Sequence, residues 1–172
     1  GVLVDDQTLV CMECHDDIEE DMSEAMSSHA PVADGECTSC HNPHKGMIDS
    51  LLVAESPELC FGCHENIEEK LATERGHDPA AEDCMNCHRP HFSGNPSLVS
   101  LPIGELCADC HETEDEDFGE AHLQIDAAVM DCIGCHAPHA SKDPKFFKEK
   151  MHSPFVKGDW DECHVVERGR GG

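Results

Sequence analysis

The sequence predicts short helices around an interior that is not made of apolar side chains, and three observations predict it. Leu, Ile, Val and Phe make up only about 19% of the 172 residues, too few to offset roughly 1–2 kcal/mol of backbone entropy per residue. The formal net charge is -26, with 37 Asp and Glu against 11 Lys and Arg; charge and composition together are those of a chain that would ordinarily stay disordered. The third observation is an excess of 13 Cys and 14 His, which points to ligated groups as the source of order.

The same charge argues against two classes of partner. Nucleic acid needs clusters of Lys and Arg on phosphate, and none is present; anionic lipid is disfavoured for the same reason. No apolar run approaches the roughly 20 residues of a membrane span, so a soluble protein is expected. Gly1 does not open a basic segment followed by an apolar one. The expectation is a mature chain whose export signal has been removed, or export on another basis.

The cysteines fall in six C-x-x-C pairs, Cys11/Cys14, Cys37/Cys40, Cys60/Cys63, Cys84/Cys87, Cys107/Cys110 and Cys132/Cys135, with Cys163 alone. Directly after each second cysteine stands a histidine: His15, His41, His64, His88, His111 and His136. With His at 14 of 172 positions, six such matches by chance have a probability on the order of 10⁻⁷. A zinc ribbon needs tetrads and makes no demand on that next residue. A disulfide redox pair needs one low-pKa thiol in an electropositive setting. C-x-x-C-H is the signature of covalent haem attachment: two thiols add to the porphyrin vinyl groups and the following imidazole reaches the iron.

Eight histidines remain: His29, His44, His77, His91, His122, His139, His152 and His164. His164 follows Cys163, and Trp160 stands where a first cysteine would be, so the segment has attachment spacing with one thiol missing. We read it as a seventh site held by one thioether, with His164 and His152 as axial ligands; the alternative is a free thiol and two ordinary histidines. Fourteen histidines are then two per iron: His15, His41, His64, His88, His111, His136 and His164 proximal, and His29, His44, His77, His91, His122, His139 and His152 distal. The expected complement is seven haems c, or six if the Cys163 site is empty.

The chain repeats, with first cysteines at 11, 60 and 107, which divides one domain of residues 1–172 into units of about 11–57, 60–104 and 107–164 and a Gly/Arg tail at 165–172. The first site of each unit leads into an acidic stretch, Asp16 to Met22, Glu65 to Leu71 or Glu112 to Phe118, ending in His29, His77 or His122. Ile18, Met22 and Met26, like Ile67 and Leu71, are four apart, which predicts short helices with one apolar stripe on a haem face and carboxylates in solvent. Such acidic runs read first as solvated faces, with a docking surface for a basic partner or a weak calcium site as the sharper alternatives. The second site of each unit continues as H-x-P-H (His41 to His44, His88 to His91, His136 to His139). Proline pushes the residue before it out of helical geometry, so the two imidazoles diverge. His44, His91 and His139 are thus expected to cap a neighbouring haem rather than their own.

From Cys37 to His64 and from Cys84 to His111, a C-x-x-C-H-x-P-H, a Leu-bearing spacer and Leu-Cys-x-x-Cys-His follow one another, with a half-matching third copy from Cys132. This pattern resembles the doubled-CXXCH family of multihaem c-type cytochromes, over about residues 11–164. The resemblance implies a mostly irregular chain whose short α-helices wrap a row of stacked covalent haems, with a haem-dominated core and no sizeable β-sheet. It also implies export and electron transfer, and some multihaem cytochromes of this sort polymerise into extracellular filaments that conduct electrons. Trp160 and the Lys145-Phe146-Phe147-Lys148 spacer depart from the pattern.

One haem per 25–29 residues makes the haems the core and brings them close enough for electron hopping. Two imidazoles per iron close every coordination site and favour low potentials. The expected role is therefore an electron carrier rather than an enzyme. Multihaem nitrite reductases resemble the chain in haem density but use a C-x-x-C-K site, and hydroxylamine-oxidising relatives need a tyrosine; the sequence has neither. The expected partners are redox proteins or extracellular electron acceptors, with head-to-tail self-association, in the periplasm, at the cell surface or outside the cell. A discrete periplasmic carrier is the alternative to a filament subunit. In a filament, the haem near Cys11 is expected to take its distal histidine from the next chain.

Overall fold

The computed structural model describes residues 3–153, a succession of short helices and turns joined by extended segments. Each first attachment site is a helix, a tight turn and a second helix. α1 (Gln7–Met12) begins where Asp6 accepts from the backbone N–H of Thr8 at 2.9 Å, an N-cap that satisfies one of the orphan donors of the first turn. It leads through Cys14 and His15 into α2 (Asp16–Glu24). The chain then becomes extended as β1 (Ser27–Ser28) and makes one turn, α3 (Ala30–Ala33), with Pro31 near its start. The second unit repeats the order: α4 (Glu58–Phe61), α5 (Glu65–Thr73), β2 (Arg75–Gly76) and α6 (Asp78–Glu82). After β3 (Phe92–Ser93), the third unit has α7 (Ile103–Ala108), α8 (Glu116–Ala121) and α9 (Cys132–Cys135), and then β4 (Ala140–Ser141).

The helices after the first sites form as the periodicity predicts. Ile18, Met22, Ile67 and Leu71 are half-buried, while the acidic residues between them face solvent. Met26 departs from the expected stripe: the chain turns extended at Ala25, so Met26 lies outside α2 and is 68% exposed. The cause is tertiary. The Met26 backbone N–H donates to the Ser93 carbonyl at 2.9 Å as β1 meets β3.

The two sheets have only two strands each, and each joins neighbouring units. β1 pairs antiparallel with β3, Ser27 opposite Ser93 and Ser28 opposite Phe92. β2 pairs in the same way with β4, Arg75 opposite Ser141 and Gly76 opposite Ala140. Just beyond these pairs, His29 N–H donates to His91 O at 2.9 Å and His77 N–H to His139 O at 2.8 Å. A segment from one unit is thus fixed beside the H-x-P-H of the next.

Among the described residues no sheet exceeds two strands, in agreement with the sequence expectation. Among the described residues the buried positions are small: Ala127 and Ala140, Ser93 and Ser141, Gly35 and Gly104. Gly104 lies so close to the Ala127 carbonyl that a Cβ there would stand 2.2 Å from it. No described helix is long and apolar enough to cross a membrane.

Candidate metal centres

All six C-x-x-C-H segments adopt one local conformation. In each, the backbone N–H of the histidine donates to the carbonyl of the first cysteine, four residues back, at 2.9–3.1 Å. A single helical turn puts residues i, i+3 and i+4 on one face, so both thiols and the imidazole emerge on the same side. At the first sites the turn ends a helix, and at Cys37 and Cys84 it is a 3₁₀ turn. Cys11, Cys60 and Cys107 are half-buried, and their partners Cys14, Cys63 and Cys110 are exposed.

The thiols also meet from site to site. Burial raises the Cys11 thiol, and the neighbouring Cys37 raises it further. Cys60 is pushed up to about 11 by burial and then by Cys84; Cys107 is pushed up to about 11 by burial and then by Cys132. Across unit boundaries, burial and the approach of Cys63 raise Cys40, and burial and the approach of Cys110 raise Cys87. The six sites therefore adjoin in chain order, first cysteines meeting within a unit and second cysteines between units.

Among the described residues, five pairs of imidazoles face one another. Ring centroids are 6.1 Å apart for His29 and His64, 5.9 Å for His41 and His91, 6.1 Å for His77 and His111, 6.0 Å for His88 and His139, and 6.3 Å for His122 and His136. An iron with one imidazole on each side has Fe–N bonds of about 2.0 Å, and each nitrogen lies ~1.2 Å from its ring centre, so the centroids stand ~6.4 Å apart. The observed spacing fits. Every pair joins one histidine of a C-x-x-C-H to one of the remaining eight, and His91 and His139 face the site of the preceding unit.

The outer hydrogen bonds fit as well. Nδ1 of His29 lies 3.0 Å from Pro90 O, and Nδ1 of His77 is 3.0 Å from Pro138 O. His41 reaches Ser50 O at 2.8 Å, His88 Ser97 O at 3.0 Å and His136 Lys145 O at 2.9 Å. His122 reaches Phe118 O at 2.9 Å. A carbonyl only accepts, so each Nδ1 carries the proton and leaves the Nε2 lone pair for a metal, as ligating histidines require. Burial lowers the pKa of His91, helped by His41 and His29, and that of His139, helped by His88, Lys70, His77 and His64. In both, burial disfavours the charged ring, and the neutral ring is the one that can ligate.

The carbonyls that orient His41 and His88 come from an unusual backbone. Ser50, Leu51, Ser97 and Leu98 have φ of 57–60°, as does Phe146 (59°) in the third spacer, a left-handed conformation that costs roughly 1–2 kcal/mol per non-Gly residue. These turns fold each spacer back so that Leu52, Val99 and Phe147 bridge to His41, His88 and His136. No Gly or Asn marks them in the sequence, which is why sequence reading missed them. It also missed Phe118, stacked on His122 at 4.0 Å, and Phe147, stacked on His136 at 5.1 Å.

The structure does not bring every candidate together. Among the described residues, no second imidazole faces His15, His44 or His152. His15 stands at the N-cap position of α2 with no side-chain capping hydrogen bond, and the His44 backbone N–H donates to Asn42 Oδ1 at 3.1 Å. Trp160, Cys163 and His164 lie outside the described residues. Among those described, no three or more His, Cys, Asp or Glu side chains converge on one point as a bare metal ion would require.

Comparison with known proteins agrees with this chemistry. The chain matches the Doubled CXXCH motif family over residues 29–69 and 77–116. Each match contains one complete imidazole pair, His29 with His64 and His77 with His111. A 56-residue stretch is 41% identical to the multiheme cytochrome MtrA of Shewanella baltica (strain OS185), covering 32% of this chain and 17% of that relative. With its repeated thiol pairs, each followed by an imidazole on the same face, the chain carries the doubled CXXCH motif over those two segments and is similar there to multihaem c-type cytochromes.

Proposed function

We propose that the protein carries electrons along a row of covalently held haems, six at the C-x-x-C-H segments and a seventh at Cys163, outside the cytoplasm. The observation that carries the reading is the five imidazole pairs at 5.9–6.3 Å. Two imidazoles on an iron leave no position for a substrate, which favours electron transport over catalysis. When bound, haem supplies a one-electron iron couple, and the residues of the chain do the rest. The thiols would hold each porphyrin covalently, His41, His64, His88, His111 and His136 would supply one imidazole to each paired centre, and His91, His29, His139, His77 and His122 would supply the other. Carbonyls on Nδ1 hold six of these rings. The thiol contacts that run from site to site keep successive centres close, and tunnelling falls steeply with distance.

This reading takes residues 1–172 as one domain of three units, about 11–57, 60–104 and 107–164, with redox proteins or extracellular acceptors as partners. Attachment of haem to cysteine takes place after export, which puts the protein in the periplasm or at the cell surface. The finer proposal is a subunit of a conductive extracellular filament, and one observation favours it. First sites take a histidine from the preceding unit, and second sites at His41 and His88 take one from the following unit. By that rule His15 would accept from a preceding unit and His44 would donate to one; in a copy docked head-to-tail His122 and His136 already face each other, so the two partners would come from its segment with His152, Cys163 and His164. A discrete carrier would stay monomeric at concentrations where a filament sediments.

Intact mass under denaturing conditions counts the attached haems, and six or seven are expected. Protein reduced with dithionite and mixed with a ferric acceptor should release one electron per haem, reversibly, and carbon monoxide should leave the five paired centres unchanged. Carbon monoxide binding at most of the centres would overturn the reading.

A further inference from the structure

One of the five imidazole pairs is built differently from the rest. His122 and His136 belong to the same unit, only 14 positions apart, whereas the other four pairs span two units. Each of these two rings also has a phenyl ring laid against it: Phe118 on His122 at 4.0 Å and 22°, Phe147 on His136 at 5.1 Å and 15°. Elsewhere the described aromatic contacts to a paired histidine are oblique, Phe146 meeting His77 at 65° and Phe92 meeting His91 at 40°. The preceding units hold Leu52 and Val99 where the third unit has Phe147. In the sequence register they hold Met22 and Leu71 where it has Phe118.

We propose that Phe118 and Phe147 make the centre at Cys132, Cys135, His136 and His122 the highest in potential of the paired centres, the place where an electron moving along the row comes to rest. The inference rests on the electron-carrier reading above. A ferric iron with two neutral imidazoles in a porphyrin dianion carries one positive charge, and reduction cancels it. Apolar bodies against both ligands keep water away and penalise the charged state, so they favour Fe(II). Reduction of this centre takes one electron from its neighbour at Cys107, Cys110 and His111. That neighbour goes from Fe(II) to Fe(III) as this centre goes from Fe(III) to Fe(II), and no bond or proton moves. Cys107 and Cys132 adjoin, so the step is short.

The test uses the full haem-loaded chain with Phe147→Leu, Phe118→Leu and the double substitution, each returning a side chain of the kind the other units carry. Haem content by intact mass comes first, followed by a spectroelectrochemical titration. The expected result is an unchanged haem count and a titration in which only the first centre to be reduced moves to lower potential. In the double variant its oxidised-to-reduced ratio at fixed potential rises about tenfold, equivalent to about 59 mV for a one-electron couple. A second arm places a phenyl ring elsewhere: Leu52→Phe behind His41 should shift one centre upward. A double variant with full haem content and an unshifted first wave overturns the proposal. If the double variant loses haem, Leu52→Phe decides, and no upward shift there overturns it. A wild-type chain without covalent haem would instead sink the carrier reading itself.

Discussion

Removing the His91 imidazole tests whether these centres are shared between units. The ring stands 5.9 Å from His41, in the preceding unit, although its own motif attaches at Cys84 and Cys87. His91→Ala should therefore open the iron at Cys37 and Cys40. The backbone has reason to stay in place: the His91 carbonyl, which accepts from His29 N–H at 2.9 Å, survives the substitution, and so does the pairing of β1 with β3. The loss is one half-buried ring and its ligand bond, a destabilisation of about 1–3 kcal/mol. No other imidazole replaces it, because His29 faces His64 and its Nδ1 is held by Pro90 O at 3.0 Å. Carbon monoxide titration of the reduced variant should then show one more bound ligand per chain than wild type. Adding Cys37→Ala and Cys40→Ala should abolish that extra ligand, while adding Cys84→Ala and Cys87→Ala should leave it. The opposite pattern would refute ligation across units.

Other perturbations read other parts of the site. Ser97→Pro forces φ to about −65° where the chain has 57°, so it should misplace the carbonyl that holds His88 Nδ1, lower the melting temperature and shift one ferric electron paramagnetic resonance signal. Gly104→Val would push its Cβ to 2.2 Å from the Ala127 carbonyl, an overpacking cost of about 1–3 kcal/mol that thermal unfolding should register with the haem count unchanged. The pairs also differ in ring orientation: interplanar angles are 16°, 17° and 26° for His29/His64, His77/His111 and His88/His139, and 49° and 48° for His41/His91 and His122/His136. Low-spin ferric spectra depend on that angle, so two populations in a three-to-two ratio are expected among the paired centres, and a single population would contradict the ring geometry.

What could be read in advance was the chemistry carried by near neighbours in sequence. Cys37, Cys40 and His41 lie within one helical turn, and Pro90 sends His91 away from His88 within three residues, His91 facing His41 and His88 facing His139, so spacing alone foretold both. The acidic helices were legible for the same reason: Ile67 and Leu71 sit one turn apart, and nothing distant overrides them. Long-range features were not legible. Met26 continues the four-residue spacing of Ile18 and Met22, yet the demand of β3 for a partner strand pulls it out of the helix. The left-handed turns at Ser50 and Leu51 defy local propensity, because their stabilisation comes from the His41 ring and the bridge to Leu52. His29 was a candidate ligand from its position after α2, but only the tertiary register of β1 and β3 aims it at His64.

The proposed exchange of ligands would explain how a chain with so few aliphatic residues holds a defined shape. Unit one gives His29 to the first site of unit two and receives His91 for its own second site, and units two and three repeat the trade with His77 and His139. On the proposed ligation neither unit of a pair would complete its centres alone, and the interface would rest on metal bonds where an ordinary repeat protein uses apolar area. Folding and haem loading would then be one process, since the described residues bury only small side chains around the paired rings. The acidic faces of α2 and α5 can stay fully solvated because the core needs nothing from them. Unit three breaks the rule in one place: His122 turns back to His136, its Nδ1 held by Phe118 O and its ring stacked on the Phe118 phenyl. A centre completed inside one unit keeps its ligands whatever docks beside it, which suits a station at which electrons collect.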